Sequence, residues 1–159
     1  MFISIDPGHN VGVATFTDTG LDVSKATITL PRFRQFILKS AVRERLKAPE
    51  GTPKLIFLME DYKLRQDMAI NQTGSDMPAS RCIGAVEFAC DILGPERCEI
   101  ILQPPGNLRT ALKWSGYPEL ANKPRTWHCP DDMSAYAHGV FWLIRNDYRK
   151  HPIFNATSS

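Results

Sequence analysis

A mixed α/β sheet with helices on its faces is the architecture this sequence predicts, and three observations predict it. Short strand-like runs at residues 1–5, 11–17 and 23–30 are separated by tight turns, the pattern of an antiparallel meander. Residues 55–59, Leu-Ile-Phe-Leu-Met, form an unbroken apolar run suited to a central strand covered on both faces. After it, helical periodicity alternates with one further strand and closes on a helix.

Each element has its own signal. The first turn is Asp6-Pro7-Gly8-His9-Asn10 and the second is Thr19-Gly20, both rich in residues that favour chain reversal. Pro31 sits at the favoured early position of a helix running to about Lys47. That helix has Phe33, Phe36, Ile37, Ser40, Ala41 and Leu46 on one side. Arg34, Lys39, Arg43, Arg45 and Lys47 lie on the rest, which reads as a solvated face. Residues 62–77 are polar and aperiodic, as in a loop or a frayed helix start. From Pro78 the spacing of Ala79, Cys82, Ile83, Val86, Ala89, Cys90 and Leu93 is helical, and Gly94-Pro95 ends the pattern. A strand at 99–102, a short helix at 108–114 and a last helix from about Pro130 to Tyr148 complete the reading. Residues 1–150 are expected to form one domain and 151–159 a loose tail.

Composition narrows the function without naming it. A chain of 159 residues with 43% hydrophobic and 23% charged residues can bury a core unaided. A net charge of +2 neither demands nor excludes nucleic acid, since clustering matters more than the sum. Cys82, Cys90, Cys98 and Cys129 form no C-x-x-C pair and read as reduced thiols, so the expected location is the cytoplasm. No secretory pattern opens the sequence, and no apolar run has membrane-spanning length.

The chemistry is carried by acids at the ends of elements. Asp6 ends the first strand, Glu60 ends the central strand, and Asp131 and Asp132 open the last helix. Each has an ordinary reading alone: a turn residue, a strand meeting water, a helix start favouring negative charge. Together they gain meaning. Clustered carboxylates repel unless something neutralises them, and a hard divalent cation does so while also taking water and phosphate oxygens. Two such ions roughly 3.5–4 Å apart would clamp the attacking and leaving oxygens of a phosphodiester. At about 100° per residue, a core stripe of Met133, Tyr136, Ala137, Val140, Leu143, Ile144 and Tyr148 puts Asp132 at its edge. Asp131 then falls nearly opposite, with Ala135, His138 and Trp142, so helical phase favours Asp132 as the ligand. His128, just before the helix, is within reach of a metal-bound water or a phosphate, or is simply a polar surface residue.

At these residues the chain resembles the RuvC-like Holliday-junction resolvases, particularly the compact versions found in phages. Asp6-Pro7-Gly8 through Gly12-Val13-Ala14 matches the first motif of that family, D-P-G-x-x-x-G-x-A. The run 55–59 followed by Glu60 matches the second. Met68-Ala69-Ile70-Asn71, Arg81 and the helix to Leu93 are similar to the segment that follows. His128-Cys129-Pro130-Asp131-Asp132 with Ala135 and Ala137 looks like the C-terminal motif. The likeness spans roughly residues 2–148. It implies an RNase H-like fold, a homodimer, and Mg²⁺ or Mn²⁺, two per site, at a carboxylate cluster. It also implies symmetric nicking of a four-way DNA junction, one strand per subunit. Carried over, Asp6 and Glu60 are metal ligands. The H-x-x-D spacing selects His128 and Asp131, whereas the alternating alanines select Asp132. The lysine-bearing Gly-rich stretch of bacterial members is missing; here the region reads Lys113-Trp114-Ser115-Gly116-Tyr117-Pro118.

Cations near the acidic edge would hold phosphates without reading sequence. Lys63, Arg65 and Arg81 follow Glu60, and Arg109, Lys113, Lys123 and Arg125 precede the last helix; a solvated surface charge is the ordinary reading of each. Tyr62 and Trp114 could stack on unpaired bases at a junction centre. The helix 79–93 is apolar over a wide arc that includes Ala85 and Phe88, as expected if a partner subunit or simply the core covers it. The leading reading is therefore a structure-selective DNA nuclease. An RNA-directed RNase H-like nuclease is the alternative enzyme, opposed by Glu60, which the rRNA-processing relatives lack. A catalytically inactive dimer binding branched DNA is the non-enzyme alternative. An actin- or sugar-kinase-type ATPase, which also opens with Asp-x-Gly, needs two larger domains than this chain supplies.

Overall fold

The computed structural model describes residues 2–17, 23–47, 54–61, 77–104, 107–124 and 126–146. The stretch 62–76, with Lys63 and Arg65, lies outside them, as do Arg125 and the expected tail 151–159. Five strands form one sheet in the order β3-β2-β1-β4-β5. They are β1 (Phe2–Asp6), β2 (Asn10–Phe16), β3 (Val23–Thr29), β4 (Leu55–Glu60) and β5 (Cys98–Gln103). β1, β2 and β3 are successive antiparallel neighbours, while β4 runs parallel to β1 and β5 parallel to β4. This is the mixed α/β sheet expected from the sequence.

Side chains alternate across the sheet, so each strand feeds two cores. Ile3, Ile5, Val11, Val13, Phe57 and Met59 face one side. There they meet Phe33 and Ile37 of helix α1 (Leu30–Lys47) and Cys82, Val86 and Ala89 of helix α2 (Pro78–Leu93). Arg34, Lys39 and Arg43 of α1 are exposed, as a solvated face requires, but Leu46 is exposed too, at 80%. Phe2, Ala14, Phe16 and Leu58 face the other side, against the last helix, α5 (Asp131–Arg145). Helices α3 (Leu108–Trp114) and α4 (Pro118–Ala121) cover the outer flank of α5 through Ala111, Leu112, Ala121, Ala137 and Phe141.

α5 is therefore packed on two sides, which corrects the single-stripe reading. Ala135 and His138, assigned by phase to the solvent side, are 0% and 4% exposed, and Ser134, Gly139 and Phe141 are buried as well. Tyr136, Trp142 and Ile144 are only partly buried. One helix face meets the sheet and another meets α3, so the apolar positions do not form one stripe. Gly139 is where helix and sheet come closest. A Cβ there would lie 3.1 Å from the Ser4 Cβ and closer still to the Phe16 ring.

Candidate active site

The register of the sheet lines up one row of residues beneath the first turns of α5. Thr27 pairs with Gly12 and Gly12 with Asp6. Ile5 pairs with Met59, so Asp6 and Glu60 are the next neighbours across β1 and β4; Glu60 in turn pairs with Gln103. Paired residues point to the same face, the one on which Leu58 and Ala14 meet α5. Asp6 and Glu60 thus stand side by side at the carboxyl ends of parallel strands, where open α/β sheets place their ligands.

Four of the five members of the row, Thr27, Gly12, Asp6 and Gln103, meet α5. Gly12 has no Cβ because one would run into the backbone carbonyl of Asp131. The Asp132 N–H donates to Thr27 Oγ1 at 3.2 Å. The Ser134 hydroxyl bonds the Asp6 carboxylate. Gln103 Oε1 lies 3.3 Å from His138 Nδ1, and Gln103 Nε2 donates to the His138 carbonyl at 3.4 Å. The turn between β1 and β2 is fixed from the opposite side, where the Cys82 thiol donates to the Gly8 carbonyl at 3.9 Å.

The carboxylates near this row act on one another. Burial raises the Asp6 pKa most; the Asp131 charge raises it further, while the Ser134 hydrogen bond and His128 oppose. Glu60 is raised by burial and then by Asp6. Cys129 is pushed up to about 11 by burial, with Asp6, Asp132 and Asp131 adding to it. Asp131 is thus an acid of α5 that acts on Asp6, and its Oδ1 lies 3.5 Å from His128 Nε2. That histidine is 91% exposed, so the contact is a loose one. The backbone N–H of Asp132 is turned to Thr27 on β3. α5 is buried on two faces, so residues in phase with Asp131, such as Ala135 and His138, are buried as well.

Among the described residues, no three His, Cys, Asp or Glu side chains are close enough to enclose a metal ion as they stand. The donor set still suits Mg²⁺, which commonly takes one or two carboxylates and fills its other positions with water and phosphate oxygens. Neighbouring, partly desolvated carboxylates with raised pKa values are what such a cation relieves.

No family model matches the chain, and no curated protein matches it. Among solved structures it is similar to "T. thermophilus RuvC in complex with Holliday junction substrate", with a TM-score of 0.48 and 15% identity, covering 91% of this chain and 94% of that one. It is also similar to "Thermus thermophilus RuvC structure", with a TM-score of 0.46 and 16% identity, covering 91% and 96%. The likeness is one of fold.

The basic residues are spread out. Arg81 is exposed on α2 and, with Arg34, borders a groove between α1 and α2. Arg109 donates to the carbonyls of Ala121 (3.3 Å) and Lys123 (3.0 Å), which ties α3 to the segment after α4. Lys113 and Lys123 are exposed. Trp114 stacks on Phe141, with ring centroids 5.2 Å apart. Phe141 is ten residues along α5 from Asp131, about 15 Å at 1.5 Å per residue, so Trp114 and its neighbour Lys113 lie away from the carboxylates. Sequence reasoning missed Ser134, Thr27 and Gln103. Strand register marks Thr27 and Gln103, and the docking of α5 on β1 marks Ser134; spacing along the chain gives neither.

Proposed function

We propose that this chain is a metal-dependent endonuclease that cuts branched DNA, with four-way junctions as the leading substrate. The observation that carries the reading is the side-by-side placement of Asp6 and Glu60 at parallel strand ends, with Asp131 of α5 close enough to Asp6 to act on it. The motif resemblance at those same residues supplies the substrate class.

In this reading Asp6 and Glu60 would hold Mg²⁺ or Mn²⁺, with Asp131 as a third carboxylate near Asp6. The cation supplies charge neutralisation and an activated water for phosphodiester hydrolysis. The protein supplies placement: strand ends fix two carboxylates, and the docked first turn of α5 fixes the third. Ser134 holds one oxygen of Asp6, and His128 is placed to meet a phosphate or water at the rim. Asp132 serves as an additional acid on the β3 side.

Phosphate contacts are assigned to Arg81, Lys123, Lys113 and Arg109, together with Lys63, Arg65 and Arg125 outside the described residues. A homodimer is proposed through the 320 Å³ groove lined by Arg34, Leu38, Arg81, Gly84, Ala85 and Phe88, where Phe88 is 57% exposed. No described helix is long and apolar enough to cross a membrane, and the proposed place of action is the cytoplasm, that of the host if the source is a phage.

Incubating the protein with four-way, flap and linear DNA and with an RNA–DNA hybrid, in Mg²⁺, Mn²⁺ or EDTA, tests the reading. Paired nicks on the four-way substrate that vanish in EDTA are expected. Cleavage confined to RNA selects the RNA-directed alternative, and junction binding without cutting in any metal selects the inactive binder.

A further inference from the structure

α5 has no side-chain cap of its own. The residue before it is Pro130, and no side chain within the segment bonds its free N–H groups. A helix start leaves several backbone donors unsatisfied, and a Ser, Thr, Asn or Asp oxygen is the usual acceptor. Here the acceptor comes from a different element. Thr27, in the edge strand β3, takes the Asp132 N–H at 3.2 Å, and it sits in register with Gly12, whose missing side chain admits the Asp131 carbonyl.

β3 is itself tied to the same helix further along. Lys25 Nζ donates to the Met133 sulfur at 3.2 Å and lies 4.9 Å from the centre of the Tyr136 ring and 5.6 Å from that of Tyr117. The Thr27 hydroxyl is therefore held against the helix start by the Lys25 contacts two residues earlier in β3 and by the seat that Gly12 leaves in the neighbouring strand. Thr27 is exposed and is two strands away from Asp6, so it touches none of the reacting groups.

We propose that Thr27 is a positioning residue for the site: it caps α5 from the edge strand and so fixes Asp131 beside Asp6. This rests on the nuclease reading, in which Asp131 belongs to the cation-binding set. A shift of the helix start by about 1 Å is enough to cost one to two orders of magnitude in rate. A cap lost at an exposed edge leaves the core untouched.

The test compares wild type with Thr27→Ala and Thr27→Ser. Amide hydrogen exchange over residues 131–134 reads the cap, and Mn²⁺ binding without DNA together with kcat and KM on a four-way junction reads the positioning. Thr27→Ala is expected to speed exchange in the first turn of α5, weaken Mn²⁺ binding and lower kcat by about tenfold at nearly unchanged KM; Thr27→Ser is expected to restore all three. Unchanged exchange in Thr27→Ala means there is no cap, and faster exchange with unchanged Mn²⁺ binding and kcat means the cap is structural only. Either result overturns the inference while leaving the nuclease reading intact. Wild-type protein that neither binds Mn²⁺ nor cuts DNA overturns the nuclease reading, and the inference falls with it.

Discussion

Two adjacent aspartates open α5, and the chemistry separates them. Asp131 acts electrostatically on Asp6 and sits 3.5 Å from His128, while the Asp132 backbone is engaged by Thr27 on β3. Asp131→Asn is therefore expected to lower junction cleavage by at least ~10²-fold, the scale of losing a metal-held charge. Asp132→Asn is expected to stay within about fivefold, the scale of roughly 1 kcal/mol. Single-turnover cleavage of a labelled four-way junction measures both, and a larger loss for Asp132→Asn would reverse the assignment. The raised carboxyls make a second prediction at this scale. Asp6 and Glu60 hold protons more tightly in the folded chain than their ordinary values of 3.8 and 4.5 allow. The stability they contribute is present below those values and is lost as pH rises through the raised ones. In EDTA near neutral pH, Glu60→Gln is thus expected to melt at a higher temperature than wild type. With excess Mg²⁺ the order should reverse, because only wild type gains from the cation. Thermal melts in the two buffers check this. At the residue scale the sequence was legible where an acid ends a strand: Asp6 and Glu60 stand where their runs stop. Helical phase does not separate Asp131 from Asp132. Phase arguments need a single buried stripe, and α5 has two buried faces.

Elements set the geometry of the site through the row Thr27–Gly12–Asp6–Glu60–Gln103. Gly12 is the seat of α5, so Gly12→Ala forces a methyl group into the Asp131 backbone. Overpacking of this kind costs about 1–3 kcal/mol. It should also push the helix start away from Asp6, so urea melts and cleavage rates are expected to fall together. The other end of the row carries a buried histidine. His138 is 4% exposed and held neutral, its pKa lowered to about 4 by burial. The unfolded chain takes up a proton near 6.5 that the folded chain refuses. This contribution is therefore full above 6.5 and is lost as pH falls toward about 4. Its size is on the order of 3 kcal/mol. Chemical denaturation between pH 7 and pH 4 should show that decline, and His138→Asn, which keeps a donor for Gln103, should flatten it. Strand and helix existence was legible from periodicity, and helix starts and ends agree with the expected ones to within about three residues. The pairings were not, since nothing along the chain states that Gly12 lies between Thr27 and Asp6. α4 is four residues long, too short for periodicity to register.

Among the described residues, the acidic row lies on the α5 side of a five-stranded sheet, and an apolar groove between α1 and α2 lies on the other. Paired nicking needs two such sites, so the 17.9 kDa chain is expected to sediment as a dimer. Phe88→Glu, at the rim of the groove, should give monomers that still fold but lose paired cutting. The sequence placed the apolar arc of α2 correctly, yet composition alone does not separate a helix face covered by its own core from one left open. Ala79, Cys82, Val86 and Ala89 are covered, and Phe88 is not. The basic residues were the least legible part. Arg109 is engaged with backbone carbonyls and Lys113 lies beside a distant aromatic stack, neither of which shows in a charge count. The central claim is that carboxylates from separate strands act together through a divalent cation on branched DNA. The most direct measurement is cleavage of a labelled four-way junction in Mg²⁺ by wild type and by Glu60→Gln, with junction binding followed in parallel. Paired nicks from wild type, none from Glu60→Gln, and similar binding by both are expected. Cutting by Glu60→Gln at the wild-type rate, or by wild type in EDTA, would contradict the claim.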